Sequence, residues 1–513
     1  MNKYRLSGLS VAGGILTGLA WTSWCSGLIL LVSFVPFLLI ENHLYKYRSG
    51  YSPNAYFVYL IPGFVIFSII SLGWIRAASM IAAVAIITGM AFLMSFVLWL
   101  AHLIRLRYGN FAGALAFISL WLSFEYLSLN TVYLSPWINL GNGLAKDILF
   151  IQWYEVTGTG GGTLWILCSN LFLSILFLSY PNRKRIRKSF LVIWIGIIIT
   201  PLIISIIRYY TINTDKDNAG EVVIVQPNYD PFTEKFTIPF TEQLDKVLEM
   251  AGWETRESTS WVITPETTVD DPVDENHPES DKYISSINDF ASRYPAVNVV
   301  SGMVTSGPFN SAIQISKQGV SGIYHKSKLV PGFEMELPAG FERIIRKILP
   351  DIGGTSWGYG IQKERACFSH SVTGQVAGPI ICYESVFGNY VADYVRKGAE
   401  VLFIITNDGW WKNTNGYEQH LAFASLRAIE TRRPVARAAN TGISCLIDIR
   451  GKRTHETKWW KEAVIKGKIC SETSLTPYVR HGDYLLKLSL PMNAFIILLI
   501  FVIRPLKKKF QRQ

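Results

Sequence analysis

Residues 376–385 read VAGPIICYES. Six small and apolar residues in a row are too few for a helix of their own and suit a strand buried on both faces. The run then stops at Cys382, Tyr383 and Glu384, where a core strand would continue apolar. In open α/β sheets ligands bind beyond the carboxyl ends of the strands, so a thiol and a carboxylate at such an end mark a candidate site. Similar runs recur outward from it: EVVIVQ (221–226), SWVIT (260–264), VNVVSGMV (297–304), SAIQIS (311–316), EVLFIIT (400–406) and ISCLID (443–448). Helical patterns at 237–252, 279–293, 386–397 and 417–431 lie between or beside these runs. Short β-branched strands mixed with amphipathic helices indicate a layered α/β domain.

Farther out the composition changes. The chain has 513 residues, half of them hydrophobic, and a mean hydropathy of +0.24. Apolar runs at 7–22, 25–41, 55–73, 78–104, 111–128, 161–180, 189–207 and 486–503 approach the roughly 20 residues that cross a bilayer. The first is followed at once by a second apolar run, which argues against a cleaved leader. The expected organisation is therefore a polytopic α-helical membrane domain of seven spans (1–207), an outward domain (208–485), and a final span with a basic tail (486–513). Lys3 and Arg5, Lys46 and Arg48, Arg105 and Arg107, the cluster from Arg183 to Lys188, and the tail from Arg504 to Arg512 all fall on one side of such a layout. That side is expected to be cytoplasmic. These anchors account for much of the formal net charge of +11. The charge does not point to nucleic acid, because no basic groove with interleaved aromatics accompanies it. Six cysteines without C-x-x-C spacing suggest neither a disulfide framework nor a metal site.

Three polar residues stand at or just after apolar strands: Glu266 after WVITP, Lys326 within GIYHKSKLVP, and Cys382. Together they supply a base, a cation and a nucleophile. A free thiol is only a few per cent thiolate at neutral pH, so a neighbouring carboxylate that takes its proton helps. Attack on an ester or amide carbonyl builds negative charge on oxygen, which an ammonium can stabilise.

Glu, Lys and Cys in that chain order resemble the nitrilase, or carbon–nitrogen hydrolase, superfamily. Within it, YHKSKLVPGFE (324–334), ICYES (381–385), TNDGWW (406–411) and HLAFASLRAIETRRPVARAANTGIS (420–444) resemble the apolipoprotein N-acyltransferase family. The resemblance spans the outward domain and also fits the eight-span layout. It implies an αββα sandwich and a catalytic triad of Glu266, Lys326 and Cys382. Glu334, Tyr383 and Glu384 match supporting positions. Gly332–Phe333 inverts the family's usual Phe–Gly before the glutamate. Phe236 is a candidate for an aromatic after the first strand, and Phe333, Trp410 and Trp411 are candidates for substrate or lipid contact.

The resemblance further implies acyl transfer from a phospholipid, through a cysteine thioester, to the N-terminal diacylglyceryl-cysteine of apolipoproteins. It implies no cofactor or metal, a monomer, and residence in a bacterial inner membrane with the catalytic domain outside. A membrane-tethered amidase with the same three residues is the alternative.

Other readings compete at single positions. Cys382 out of context would be a small buried hydrophobe, and Glu266 or Lys326 a solvated surface charge. His420, opening a helix, reads as a structural hydrogen bonder, and Cys445 as a core residue. FERIIRKILP (341–350) carries an apolar and a basic side, suited to an interfacial arm or to a docked helix. Glu125, inside the fifth span, is the one buried charge that hints at a polar pocket in the membrane domain. A transporter is disfavoured because the spans are otherwise nearly free of charge.

Overall fold

The computed structural model describes residues 1–132, 134–178, 184–214, 219–331, 333–335 and 358–510. The segment 341–350 and Gly332 lie outside them. The chain divides into two compact units, one of Met1–Gly73, Ala83–Ile206 and Asp483–Gln513, the other of Trp74–Ala82 and Ile207–Gly482.

The first unit is helical. Its long helices are α1 (Lys3–Leu19), α2 (Gly27–Lys46), α3 (Ala55–Leu72), α4 (Met80–Tyr108), α5 (Asn110–Asn130), α6 (Tyr154–Leu178), α7 (Lys184–Thr211) and a last one, Tyr484–Phe510. Each expected apolar run lies largely within one of these helices. Among the described residues, six helices are long and apolar enough to cross a membrane. α1 is 17 residues long. The chain is accordingly a membrane protein.

In an apolar solvent helices associate through close backbone approach and shared polar side chains rather than through hydrophobic burial. Both devices occur here. A Cβ added to Gly14 of α1 would lie 2.1 Å from the carbonyl oxygen of Gly63 in α3, and Gly63 N donates to Ser10 Oγ at 3.0 Å. α2 is broken near Phe34, ahead of Pro36. Asn170 repairs the break: its Oδ1 accepts from Phe34 N (2.7 Å) and Val35 N (3.1 Å), and its Nδ2 donates to Leu30 O (2.7 Å). Glu125 is buried and accepts from Trp121 Nε1 (3.0 Å), Leu140 N (2.7 Å) and Thr163 Oγ1 (2.6 Å). With those donors it is a structural tie from α5 to the 139–144 turn and α6. Asn493 of the last helix bonds Ser119 and Ser123 of α5.

The second unit contains the strands β1 (Ala219–Gln226), β2 (Thr259–Ile263), β3 (Val269–Val273), β4 (Asn298–Thr305), β5 (Phe309–Ser316), β6 (Gly319–His325), β7 (Phe368–Ser369), β8 (Val376–Ile381), β9 (Val401–Thr406), β10 (Val435–Ala439), β11 (Cys445–Ile447), β12 (Arg453–Thr454) and β13 (Ala463–Cys470). They form two sheets, ordered β13-β1-β2-β4-β5-β6, with β3 on β4, and β12-β11-β10-β9-β8-β7. Helices α8 (Phe240–Glu254) and α9 (Lys282–Ser292) share a core with the first sheet that includes Val223, Val225, Leu244, Val247, Ile284 and Ile287. Helices α10 (Gly388–Arg396) and α11 (Asn415–Thr431) flank the second sheet. Between the sheets Trp261 of β2 meets Phe403 of β9 edge to face, with centroids 5.0 Å apart. Its indole N–H, which must find a partner once buried, donates to Gln375 Oε1 at 2.7 Å. The result is an αββα sandwich.

Strand direction gathers the candidate residues. β1, β2 and β4 run parallel, and β5 and β6 each reverse, so β6 again points the way of β2. Glu266 and Lys326 therefore both emerge at one edge of the first sheet, and Cys382 at the carboxyl end of β8 in the second.

Replacing Gly14 by Ala forces α1 and α3 apart, and overpacking of this kind costs roughly 1–3 kcal/mol. Thermal unfolding in detergent should show a lower midpoint for Gly14→Ala. Gly8→Ala, whose Cβ would meet nothing within 4 Å, should match the parent protein.

Candidate active site

β2 ends at Ile263, and the chain turns through Pro265 and Glu266 into Thr267, whose φ is +46°. The turn fits because β4 carries glycine opposite it: a Cβ on Gly302 would lie 2.4 Å from Pro265 O and 2.6 Å from Glu266 Cα. β8 ends in a comparable turn, with Cys382 itself at φ +51°. A non-glycine residue in the left-handed region is strained by roughly 1–3 kcal/mol, and such residues cluster at functional sites.

Lys326 is the centre of the cluster. It is 1% exposed, and its Nζ donates to Glu266 Oε1 and to Glu334 Oε1, each at 2.8 Å. Asn310 Nδ2 bridges the same two carboxylates at 2.9 and 3.2 Å. The second oxygen of Glu266 accepts from Asn407 N at 3.2 Å, and that of Glu334 from Val330 N at 2.7 Å. Burial works against the ammonium, but the two carboxylates outweigh it and hold the Lys326 pKa well above the ordinary lysine value.

Cys382 is buried beside this group. Its thiol is pushed well above the ordinary cysteine range, first by burial and then by Glu266. Lys326 and a hydrogen bond with the Thr406 hydroxyl pull the other way. The resting group is a thiol, so it reacts as a nucleophile only if its proton leaves as it attacks. A carboxylate, an ammonium and a thiol gathered and buried together suit acyl chemistry at a carbonyl.

The remaining sequence candidates take different places. Glu384 is fully buried on the far side of the turn. It accepts from Tyr324 Oη (2.6 Å), Tyr390 Oη (2.7 Å), Ser327 N (2.7 Å) and Ile381 N (2.9 Å). Burial raises its pKa in spite of those donors. Its contacts tie the loop that carries Lys326 to the turn that carries Cys382. Tyr383 packs edge-on against Phe387, centroids 5.2 Å apart. Phe236 stacks on Trp410 at 6.2 Å, while Trp411 packs between Trp74 and His420. Phe333 is half-buried in the turn after Val330 and donates its N–H to Val330 O at 3.2 Å.

Sequence reading missed Asn310, Asn407 and Thr406 as parts of the cluster. Asn407 and Thr406 stand in the quoted TNDGWW, and Asn310 near the start of β5 looks like any polar strand residue. A second buried cation, Lys235, is also near: its Nζ donates to Thr267 O at 2.5 Å, and burial lowers its pKa to about 8. Among the described residues no group of three or more His, Cys, Asp or Glu is placed to hold a metal ion.

Comparison with known proteins adds two family matches. Residues 222–478, half of the chain, match the carbon-nitrogen hydrolase model. Residues 13–172 match the apolipoprotein N-acyltransferase N-terminal domain. Among curated relatives, the chain is 27% identical to an apolipoprotein N-acyltransferase of Chlorobaculum tepidum, over 93% of this chain and 92% of that one. It is 26% identical to the protein of that name from Geobacter metallireducens (93% and 91%). It is 24% identical to the one from Thermotoga maritima (94% and 91%).

The electrostatics make opposite demands on two substitutions. Removing the Glu266 charge (Glu266→Gln) takes away a group that raises the Cys382 pKa, so the pH profile of Cys382 alkylation by iodoacetamide should move to lower pH. Removing the Lys326 charge (Lys326→Met) should slow alkylation and move its pH profile to higher pH. The same direction of change in both variants would contradict this balance.

Proposed function

This chain belongs to the carbon-nitrogen hydrolase family, and we propose that it transfers an acyl chain from a phospholipid to the α-amine of a diacylglyceryl-cysteine at an apolipoprotein's N-terminus. The observation that carries the reading is Lys326 clasped by Glu266 and Glu334 beside Cys382. Full-length likeness to proteins of that name supports the acceptor. The apolar helices support a lipid donor. Withdrawing a chain of about 16 carbons into water would cost on the order of 12 kcal/mol at roughly 0.8 kcal/mol per CH₂, so an enzyme that meets such chains in the bilayer avoids that cost.

The reaction runs in two halves. Cys382 Sγ attacks the donor ester carbonyl while Glu266 takes the thiol proton. Negative charge gathers on the carbonyl oxygen. Lys326 has given two N–H groups to carboxylates and directs the third to that oxygen; one such donor is typically worth about 3–4 kcal/mol. The C–O bond breaks, Glu266 returns its proton to the leaving alkoxide, and a lysophospholipid departs from a Cys382 thioester. The acceptor amine then attacks the thioester and Glu266 takes a proton from nitrogen. The C–S bond breaks, and the proton passes to the Cys382 sulfur. Glu334 holds Lys326 in place. Water is kept from the thioester by apolar residues at the loop, Phe333 and Met335, the latter packed on Val304, Leu329 and Tyr359.

Purified enzyme given labelled phospholipid without acceptor should retain label on Cys382, removable by neutral hydroxylamine. A diacylglyceryl-cysteine peptide should then collect it on the α-amine, and Cys382→Ala should do neither. Rapid release of the label as free fatty acid, with none captured by the peptide, would establish a hydrolase instead.

The asymmetry of Lys and Arg supports an orientation with residues 208–485 outside and both termini in the cytoplasm. A membrane-impermeant thiol reagent applied to intact cells should leave an engineered cysteine after Lys509 unlabelled. Labelling without lysis would overturn the orientation.

A further inference from the structure

Cys382 is held from behind by a buried network that the reaction above does not use. The His420 ring sits with Nε2 2.8 Å from Ser385 Oγ and 3.1 Å from the carbonyl oxygen of Cys382. Ser385 Oγ donates to that same carbonyl at 2.8 Å. On the other side of the ring, Nδ1 lies 2.9 Å from Asp408 Oδ1. Asp408 Oδ2 accepts from Arg437 Nη2 at 2.6 Å, and Arg437 Nη1 donates to Ile443 O at 2.6 Å. His420, Asp408, Arg437 and Ser385 are each at most 1% exposed. Trp411 packs edge-on against the imidazole, centroids 5.1 Å apart. Burial would raise the Asp408 pKa, but Arg437 and His420 hold it far below the usual carboxylate range.

We propose that His420 is a positioning residue for the nucleophile: it fixes the Cys382 carbonyl, and so the left-handed turn that aims the thiol, with Asp408 and Arg437 anchoring its ring. The inference rests on Cys382 being the nucleophile. Ser385 spends its proton on the Cys382 carbonyl, so its oxygen accepts from His420 Nε2, and the imidazole grips the turn at two points. A residue at φ +51° relaxes unless its surroundings over-determine it, and the carbonyl of Cys382 is the atom whose movement would accompany that relaxation. Asp408 also accepts from the Thr406 hydroxyl at 3.0 Å, a group that lies beside the thiol. One carboxylate thus anchors both the support behind Cys382 and the hydroxyl beside its sulfur.

The two amide replacements of His420 separate positioning from packing. Gln places its amide nitrogen where Nε2 stood and keeps the grip on Ser385 and the turn. Asn places its nitrogen near Nδ1 and keeps only the contact with Asp408. In the full-length protein His420→Gln should retain thioester formation within about tenfold of the parent. His420→Asn should lose about 10²-fold in rate with donor KM little changed, the scale expected when a reacting group is misplaced by about 1 Å. The Asn variant should nevertheless melt no lower than the Gln variant, because it keeps the bond to Asp408. Equal losses in the two variants, or losses that follow the melting temperature, would overturn the proposal. Iodoacetamide alkylation of Cys382 should rank the variants in the same order and needs no acyl substrate. If the parent enzyme acylates no peptide, the proposed function fails while the alkylation order still decides the role of His420. Should His420→Asn not fold, Ser385→Ala decides: slower alkylation than the parent supports the proposal, and an unchanged rate refutes it.

Discussion

An ammonium buried between two carboxylates constrains the second unit more than any other contact. Lys326, Glu266 and Glu334 leave water together, and desolvation is repaid only while all three keep their partners. Removing one partner of such a buried group typically costs about 3–5 kcal/mol. The contact therefore dictates geometry at a distance. It needs β2 and β6 to end at the same edge, which two antiparallel reversals through β5 achieve. It also needs the loop after Lys326 to return Glu334 eight residues later, and Val330 N is used to hold that loop closed. Glu384 does the matching work on the other side, joining the Lys326 loop to the Cys382 turn through backbone N–H groups and two tyrosine hydroxyls.

Surplus negative charge follows from the same arrangement. Two carboxylates share one lysine, and the Cys382 pKa is raised first by burial and then by Glu266. A thiol kept protonated at rest is protected from adventitious oxidation, since reactivity follows thiolate character. The cost is a proton that must move during attack, and Glu266 stands among the groups that govern that thiol.

Much of this was legible before the structure. Central strands are long β-branched runs, so β1, β2, β4, β5, β8 and β9 stand out in sequence to within one or two residues. Among the strands that escaped notice, two are of another kind. β6 (GVSGIYH) and β13 (AVIKGKIC) are the two edges of the first sheet. With one side unpaired they carry glycine, serine and lysine in place of an unbroken apolar run. β10 was hidden for a different reason: Arg437 interrupts it, and the buried Asp408 and the Ile443 carbonyl make an arginine tolerable there. The candidate residues Glu266, Lys326, Glu334 and Cys382 were legible because each interrupts an apolar strand end or a recognisable loop. Asn310, Thr406 and Asn407 were not, because an amide or hydroxyl in a strand announces nothing until its partners are known. His420 was readable as a structural hydrogen bonder, yet what it supports became visible only with the fold.

The pairing of β1 with β13 bears on how such a chain came to exist. These are the first and last strands of the second unit, and they run side by side with Ala219 opposite Cys470. The whole sandwich is thus a closed excursion whose two ends share one hydrogen-bonded ladder. Domains with adjoining termini are the ones that tolerate insertion into a host. A domain of this kind can be inserted between two helices of a host without breaking its own ladder. The ancestry of the two halves can then be separate, and the helical half free to diverge while the sandwich stays put.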